Sequence, residues 1–176
     1  MRKLILALVL FAASVAAPPS AALELPPAVL AEGPELRLLG SGKLTWLGLH
    51  IYDASLWAPG QRFDPAEPFA LVLRYGRDFD GGRIAERSVQ EIKRLGLGDA
   101  STRARWGEAM RRLFPDIRAG ETLTGVYRPG QGAEFFHQER ALGTIADAQF
   151  ARAFFAIWLD PRTREPRLRE RLIGAR

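Results

Sequence analysis

The sequence predicts an α+β domain in which an antiparallel sheet is covered on one face by helices. Three observations carry this. Strand-like runs and helical runs are segregated along the chain, in the order strands, two helices, strands, two helices. The strand runs are short and bounded by Gly, Pro and Asp, as at Ala58-Pro59-Gly60 and Arg128-Pro129-Gly130-Gln131-Gly132. The helical runs space their apolar residues three and four apart.

In chain order, Arg2 and Lys3 precede an apolar stretch, Leu4 to Ala17, and Ser20-Ala21-Ala22 offers a small-residue cleavage site. Residues 1–22 are therefore expected to be a signal peptide, and the protein to be periplasmic or secreted. The apolar stretch is short of the about 20 residues that a bilayer span requires, and no stable span is expected in the mature chain. Residues 23–34 read as a Pro-rich lead-in, and 35–176 as the domain. Within it, Glu35–Trp57 reads as two strands joined at the glycine pair Gly40 and Gly42, where a bulge or a close backbone approach is the other use of glycine. Strict alternation beyond Trp46 sets Ile51, Asp53 and Ser55 on one face, with His50, Tyr52, Ala54 and Leu56 on the other. Both faces are mixed, so something is expected to cover the second.

Phe69–Tyr75 is a further strand, and Asp78–Gly82 a turn that starts a helix. Ile84, Ala85, Val89, Ile92 and Leu95 then form an amphipathic helix over 83–95. Trp106, Met110 and Leu113 stripe a second helix, 101–114, which Pro115 ends. Strands are expected at 121–127, 133–139 and 141–145. Asp147 is placed to cap a helix over 148–159. Its lines Phe150-Phe154-Trp158 and Ala151-Phe155-Leu159 make it the most buried helix. A last helix opens near Pro166 and ends at Gly174, with Glu165 and Arg169 spaced for an ion pair.

Without residues 1–22 the chain has 154 residues and a net charge of +3, against +5 for the whole. That is enough chain for one core without staples. The absence of cysteine excludes thiol catalysis and Cys-ligated zinc or iron–sulfur sites. The arginine surplus is spread along the chain and mixed with acids, so no nucleic-acid partner is expected. Gly40-Ser41-Gly42-Lys43 lacks the hydroxyl after lysine that a phosphate loop needs. His137-Gln138-Glu139 lacks the cysteines of a deaminase. His50 and His137 offer no metal-ligand spacing, and no cofactor is expected.

The G-x-G at 40–42, the aliphatic run after it and Ile51-Tyr52-Asp53-Ala54-Ser55-Leu56-Trp57 resemble the chalcone isomerase-like family. The blocks at 69–92, 113–137 and 143–160 extend the resemblance, which covers about residues 36–174 and is nearest to bacterial secreted members. It implies an open-faced β-sandwich with a ligand cleft between sheet and helices. It implies two kinds of function: ring closure of a chalcone, or non-catalytic fatty-acid binding by an arginine and a tyrosine. The family arginine follows the G-x-G, where this chain has Leu44 with Lys43 beside it. The isomerases' threonine falls near Leu47 and Gly48, with Thr45 two residues upstream.

The expectation is therefore a non-catalytic protein that binds a small amphipathic ligand such as a fatty acid, through Tyr52 with Lys43 or Arg74 as cation. Phe150, Phe154, Phe155 and Trp158 either line a cavity or fill a core. The alternatives are an accessory protein-interaction module with a filled core, and an isomerase or intramolecular lyase using other residues. The sequence names no protein partner.

Overall fold

A computed structural model describes residues 23–32 and 35–174; the expected signal peptide lies outside them. Six strands form one antiparallel meander in chain order: β1 (Arg37–Trp46), β2 (Leu49–Ala58), β3 (Phe69–Tyr75), β4 (Thr122–Arg128), β5 (Gly132–His137) and β6 (Arg140–Ile145). The helices are α1 (Pro27–Glu32), α2 (Gly81–Arg94), α3 (Ala100–Leu113), α4 (Ala148–Leu159) and α5 (Pro166–Leu172). The α+β expectation holds, with α2–α5 gathered on one face.

Register explains both faces. Leu56, Leu71, Gly125 and Phe135 lie in one row across β2–β5, and Ala54, Leu73 and Leu123 in the next. These point to the helices and join one apolar core with Ile92, Met110, Phe150, Phe154, Phe155 and Leu172. The alternate row of Ser55, Val72, Thr124 and Phe136 faces the other way. There Leu23, Leu25, Val29 and Leu36 pack on Ala70, Val72, Val126 and Phe136 as a second, smaller core. The Pro-rich stretch after Ala22 is thus the cover that the mixed faces of β2 required. Leu23 fixes its start: its N–H donates to Ser55 Oγ (3.2 Å), and its carbonyl accepts from Trp57 Nε1 (3.0 Å). The helix α1 within this cover has no counterpart in the sequence reading, because Pro26 and Pro27 suggested only a lead-in.

Capping sets the helices as their sequences dictate. Asp80, Asp99 and Asp147 each accept from backbone N–H groups of the first turn of α2, α3 and α4. Seven of the twelve residues of α4 are buried, more than in any other helix. The pair expected at Glu165 and Arg169 is replaced: Arg169 Nε donates to the Leu159 carbonyl at 2.7 Å and ties α5 to the end of α4.

Two expectations at the β1–β2 hairpin are corrected. The strands do not join at Gly40 and Gly42, which sit inside β1; the turn is Leu47-Gly48. The glycines serve close approach instead. A Cβ on Gly40 would meet the Arg171 and Leu172 carbonyls, and one on Gly42 would meet Leu168 Cδ1 at 2.7 Å. The G-x-G is the seat of α5. In the turn, both residues have left-handed backbone, with φ of 49° at Leu47 and 77° at Gly48. That is free for glycine and costs about 1–2 kcal/mol for leucine. Strict alternation also fails, because a register shift between Leu44 and Thr45 leaves Ile51 without a ladder partner. His50 Nε2 accordingly comes within 3.3 Å of Asp53 Oδ1, which alternation would have put on the opposite face.

Candidate ligand-binding site

Tyr52 sits on the helix-covered face of β2, opposite Leu44 of β1 and Tyr75 of β3. Leu44 is half-buried and packs against the main core, so an aliphatic chain occupies the place beside Tyr52. The Tyr75 ring meets the Tyr52 ring edge-on at 6.0 Å. Above them α4 brings Trp158, whose Nε1–H donates to the Tyr52 hydroxyl at 3.0 Å. The phenol is thereby an acceptor, and among the described residues its own proton meets no acceptor. Burial pushes both phenols above the ordinary value of about 10; the indole bond partly offsets this at Tyr52. Both are neutral at physiological pH, so Tyr52 has a proton to donate in a hydrogen bond.

Around this pair the helices supply charge. Glu91 of α2 is 6% exposed and gathers three guanidinium groups. Arg94 Nε lies 2.7 Å from Oε2, Arg87 Nη2 2.8 Å from Oε1, and Arg164 Nε 3.0 Å from Oε1. Although Oε1 has two cations at that range, no N–H points at it with hydrogen-bond geometry. The oxygen is balanced by charge and still has acceptor capacity. Glu165, Glu91 and Arg87 all lie near enough to bear on the Tyr52 hydroxyl. Three arginines gather on Glu91, but at the Tyr52 hydroxyl itself Glu165 and Glu91 act more strongly than Arg87. A neutral phenol donor suits a carboxylate or another compact anion as acceptor, and Arg87 is the cation of this cluster that bears on it.

The other two sequence-predicted residues are elsewhere. Lys43 lies opposite Asp53, and Asp53 opposite Arg74, so both cations share the face that turns away from Tyr52. Arg74 Nη2 is 3.0 Å from Asp53 Oδ2, and Lys43 is exposed. The structure does not bring these residues to Tyr52. The cation that bears on Tyr52 is Arg87 of α2, which gathers with Arg94 and Arg164 on Glu91. Arg87, Glu91 and Arg94 were readable as one helix stripe by their spacing of four and three. Arg164 joins them only through the chain reversal after α4.

The aromatic line of α4 fills the space between the layers. Phe154 meets Phe135 edge-on at 5.2 Å, Phe155 meets Phe69 at 4.9 Å, and the Phe155 ring lies 3.0 Å from where a Cβ on Gly125 would project. Two surface recesses lie away from this layer, one lined by Arg128, Gln131, Gly132, Glu134 and Thr144, the other by residues 60–65. His137 Nε2 is 2.8 Å from Glu121 Oε2. Among the described residues no group of three His, Cys, Asp or Glu is placed to hold a metal ion, and no helix is long and apolar enough to cross a membrane.

The comparisons with known proteins agree with this architecture. A family model described as chalcone isomerase-like matches residues 17–174. The chain belongs to the chalcone isomerase-like family. A protein of Haemophilus influenzae without assigned function is 29% identical over 137 residues, covering 77% of this chain and 67% of that protein. The crystal structure of a fatty-acid binding protein of Arabidopsis thaliana superposes with a TM-score of 0.61 at 14% identity, over 81% of this chalcone isomerase-like chain and 88% of the plant protein. At that identity the likeness shows the fold: a six-stranded antiparallel sheet with a helical layer.

Proposed function

We propose that this chalcone isomerase-like protein is a non-catalytic binder of a small amphipathic carboxylate, such as a fatty acid, that works in the periplasm after export. The observation that carries the reading is the Tyr52 hydroxyl, which accepts from Trp158 and keeps its own proton available, with Arg87 of the cluster at Glu91 near enough to act on it. The head group accepts from Tyr52 and pairs with Arg87 or Arg164, whose side chains are 61% and 56% exposed. The tail enters between β1 and α5, where Leu39, Leu44 and Ile173 are only half-buried. α5 is the element that yields, being seven residues long with no side-chain hydrogen bond at its N-terminus. The Arabidopsis fatty-acid binding protein of like fold supports the ligand class. Against ring closure stand Leu44 at the family's cation position and a phenol held neutral. The apolar stretch at residues 4–17 and the small residues before Leu23 support export.

A second reading, an accessory module with a filled core, is favoured by the aromatic packing between sheet and α4. One experiment separates the two. Lipids extracted from the purified chain are analysed by mass spectrometry, and melting is followed with added fatty acids of graded length. Ligand binding predicts a co-purified carboxylate or a rise in melting temperature, with affinity about tenfold weaker in Tyr52→Phe. An empty protein whose melting does not respond supports the accessory module instead.

A further inference from the structure

The β1–β2 hairpin outruns the sheet. The last ladder partner of β2 on β3 is Tyr75, opposite Tyr52, and Gly76 adds one backbone bond to the Ile51 carbonyl. Beyond it Thr45–His50 stands as a two-stranded ribbon with no third strand among the described residues. Its tip is apolar: Trp46 is 63% exposed, Leu47 80% and Leu49 47%. Leu47 is also one of two residues other than glycine with positive φ among those described. A turn of this shape favours asparagine or aspartate before its glycine. The residue present is unfavourable for its backbone and for its contact with water. Neither is relieved by packing among the described residues.

Two exposed cations, Lys43 and Arg77, flank the tip. From Leu38 to Tyr52 the chain carries Lys43 and no acid, and Asp78, beyond Arg77, accepts from the Ala119 N–H. The first acid beyond the tip, Asp53, is engaged by Arg74 and His50. Arg77, exposed, follows the Gly76 that packs on the His50 ring. An exposed indole and two leucines ahead of basic side chains match the layering of a bilayer surface, with acyl chains beneath negative head groups. A second copy of the chain would bring like charges together.

We propose that the Trp46–Leu49 tip is a membrane-docking element that seats the protein on an anionic phospholipid surface. It acts apart from the Tyr52 site and does not depend on what that site binds. The tip inserts Trp46 and Leu47 to the depth of the head-group boundary, while Lys43 and Arg77 meet the phosphates.

The test is co-sedimentation with vesicles of phosphatidylethanolamine and phosphatidylglycerol (3:1), against vesicles of phosphatidylcholine. The chain is used as the cell processes it, so every variant carries the same N terminus. The expected result is binding to the anionic vesicles that weakens at high salt. Trp46 emission should shift to the blue and be quenched by brominated acyl chains. Trp46→Ser and Leu47→Asn should each lower partitioning at least tenfold. Leu47→Asn suits the left-handed turn, so melting equal to or above the parent's shows that lost binding is not lost folding. No binding to the anionic vesicles, or binding that neither substitution changes, overturns the proposal. So does a dimer in sedimentation velocity that Leu47→Asn dissolves, since the tip would then belong to a second copy.

Discussion

The Leu172 carbonyl oxygen lies 2.6 Å from the point where a Cβ on Gly40 would stand. One methyl group therefore separates a seated α5 from a displaced one. Because the obstructing atoms belong to a helix backbone, no side-chain rotation relieves the clash. Gly40→Ala is expected to cost about 1–3 kcal/mol as an overpacking change. Amide exchange should show protection lost in α5 and retained in α2 and α3. Uniform loss, or none, would contradict this seat for the helix.

The bond from Trp158 to Tyr52 joins the most buried helix to the sheet. Tyr52→Phe removes its acceptor and leaves the indole N–H without that partner. A loss of about 1–3 kcal/mol in urea unfolding is expected. Trp158→Phe together with Tyr52→Phe should cost less than the two single changes added, because both remove the same bond. Strict additivity would argue against it.

Asp147 caps α4 and also accepts the Trp106 indole of α3 at 2.8 Å. Burial works against its charged form, but the Phe150 N–H, the indole and the Gln149 N–H outweigh it and hold the carboxyl below the usual aspartate range. Asp99, the α3 cap, is lowered to about 2, first by the Thr102 backbone N–H. Depressed folded-state values stabilise above the unfolded pKa of about 4 and lose that contribution as pH falls through the folded values. The melting temperature should accordingly hold near neutrality and fall below about pH 4. In Asp147→Asn the acid-side fall should be shallower, starting from a lower plateau; an unchanged acid limb would count against this role.

The cover on the second face makes a separate, local contribution. Leu25 is 5% exposed and packs in the small core with Val72 and Phe136. Leu25→Ala is expected to cost about 2–5 kcal/mol in urea unfolding. A loss below half a kilocalorie would mean that residues 23–36 ride on the sheet without stabilising it.

Much of the fold was legible because its signals are local. Asp147, the stripe of α4 and the turn at Arg128–Gly132 each declare themselves within a few residues. The glycine pair was legible as a place of close approach, yet its partner α5 lies about 130 residues on in sequence, so a join between strands was the nearer reading. Lys43 was a candidate because it stands beside the family's arginine position, and Arg74 because it lies at the end of the Phe69–Tyr75 strand. A strand turns adjacent residues to opposite faces, and the ladder sends both toward Asp53. The cation that does bear on Tyr52, Arg87, comes from α2, and no local pattern ties it to β2.

By itself the sequence determined the α+β class, the starts of α2 to α5, the apolar stripes of those helices and the family resemblance, since propensity, capping and periodicity act over one or two turns of chain. Tertiary structure alone decided which residues surround Tyr52, what covers the second face and what rests on Gly40. Those are contacts between segments 30 to 130 residues apart, fixed by strand register and helix seating. It also decided that Trp46 and Leu47, apolar like any core residue in the sequence, stand in solvent, because β3 ends at Tyr75 and Gly76 beyond it reaches only Ile51 and His50.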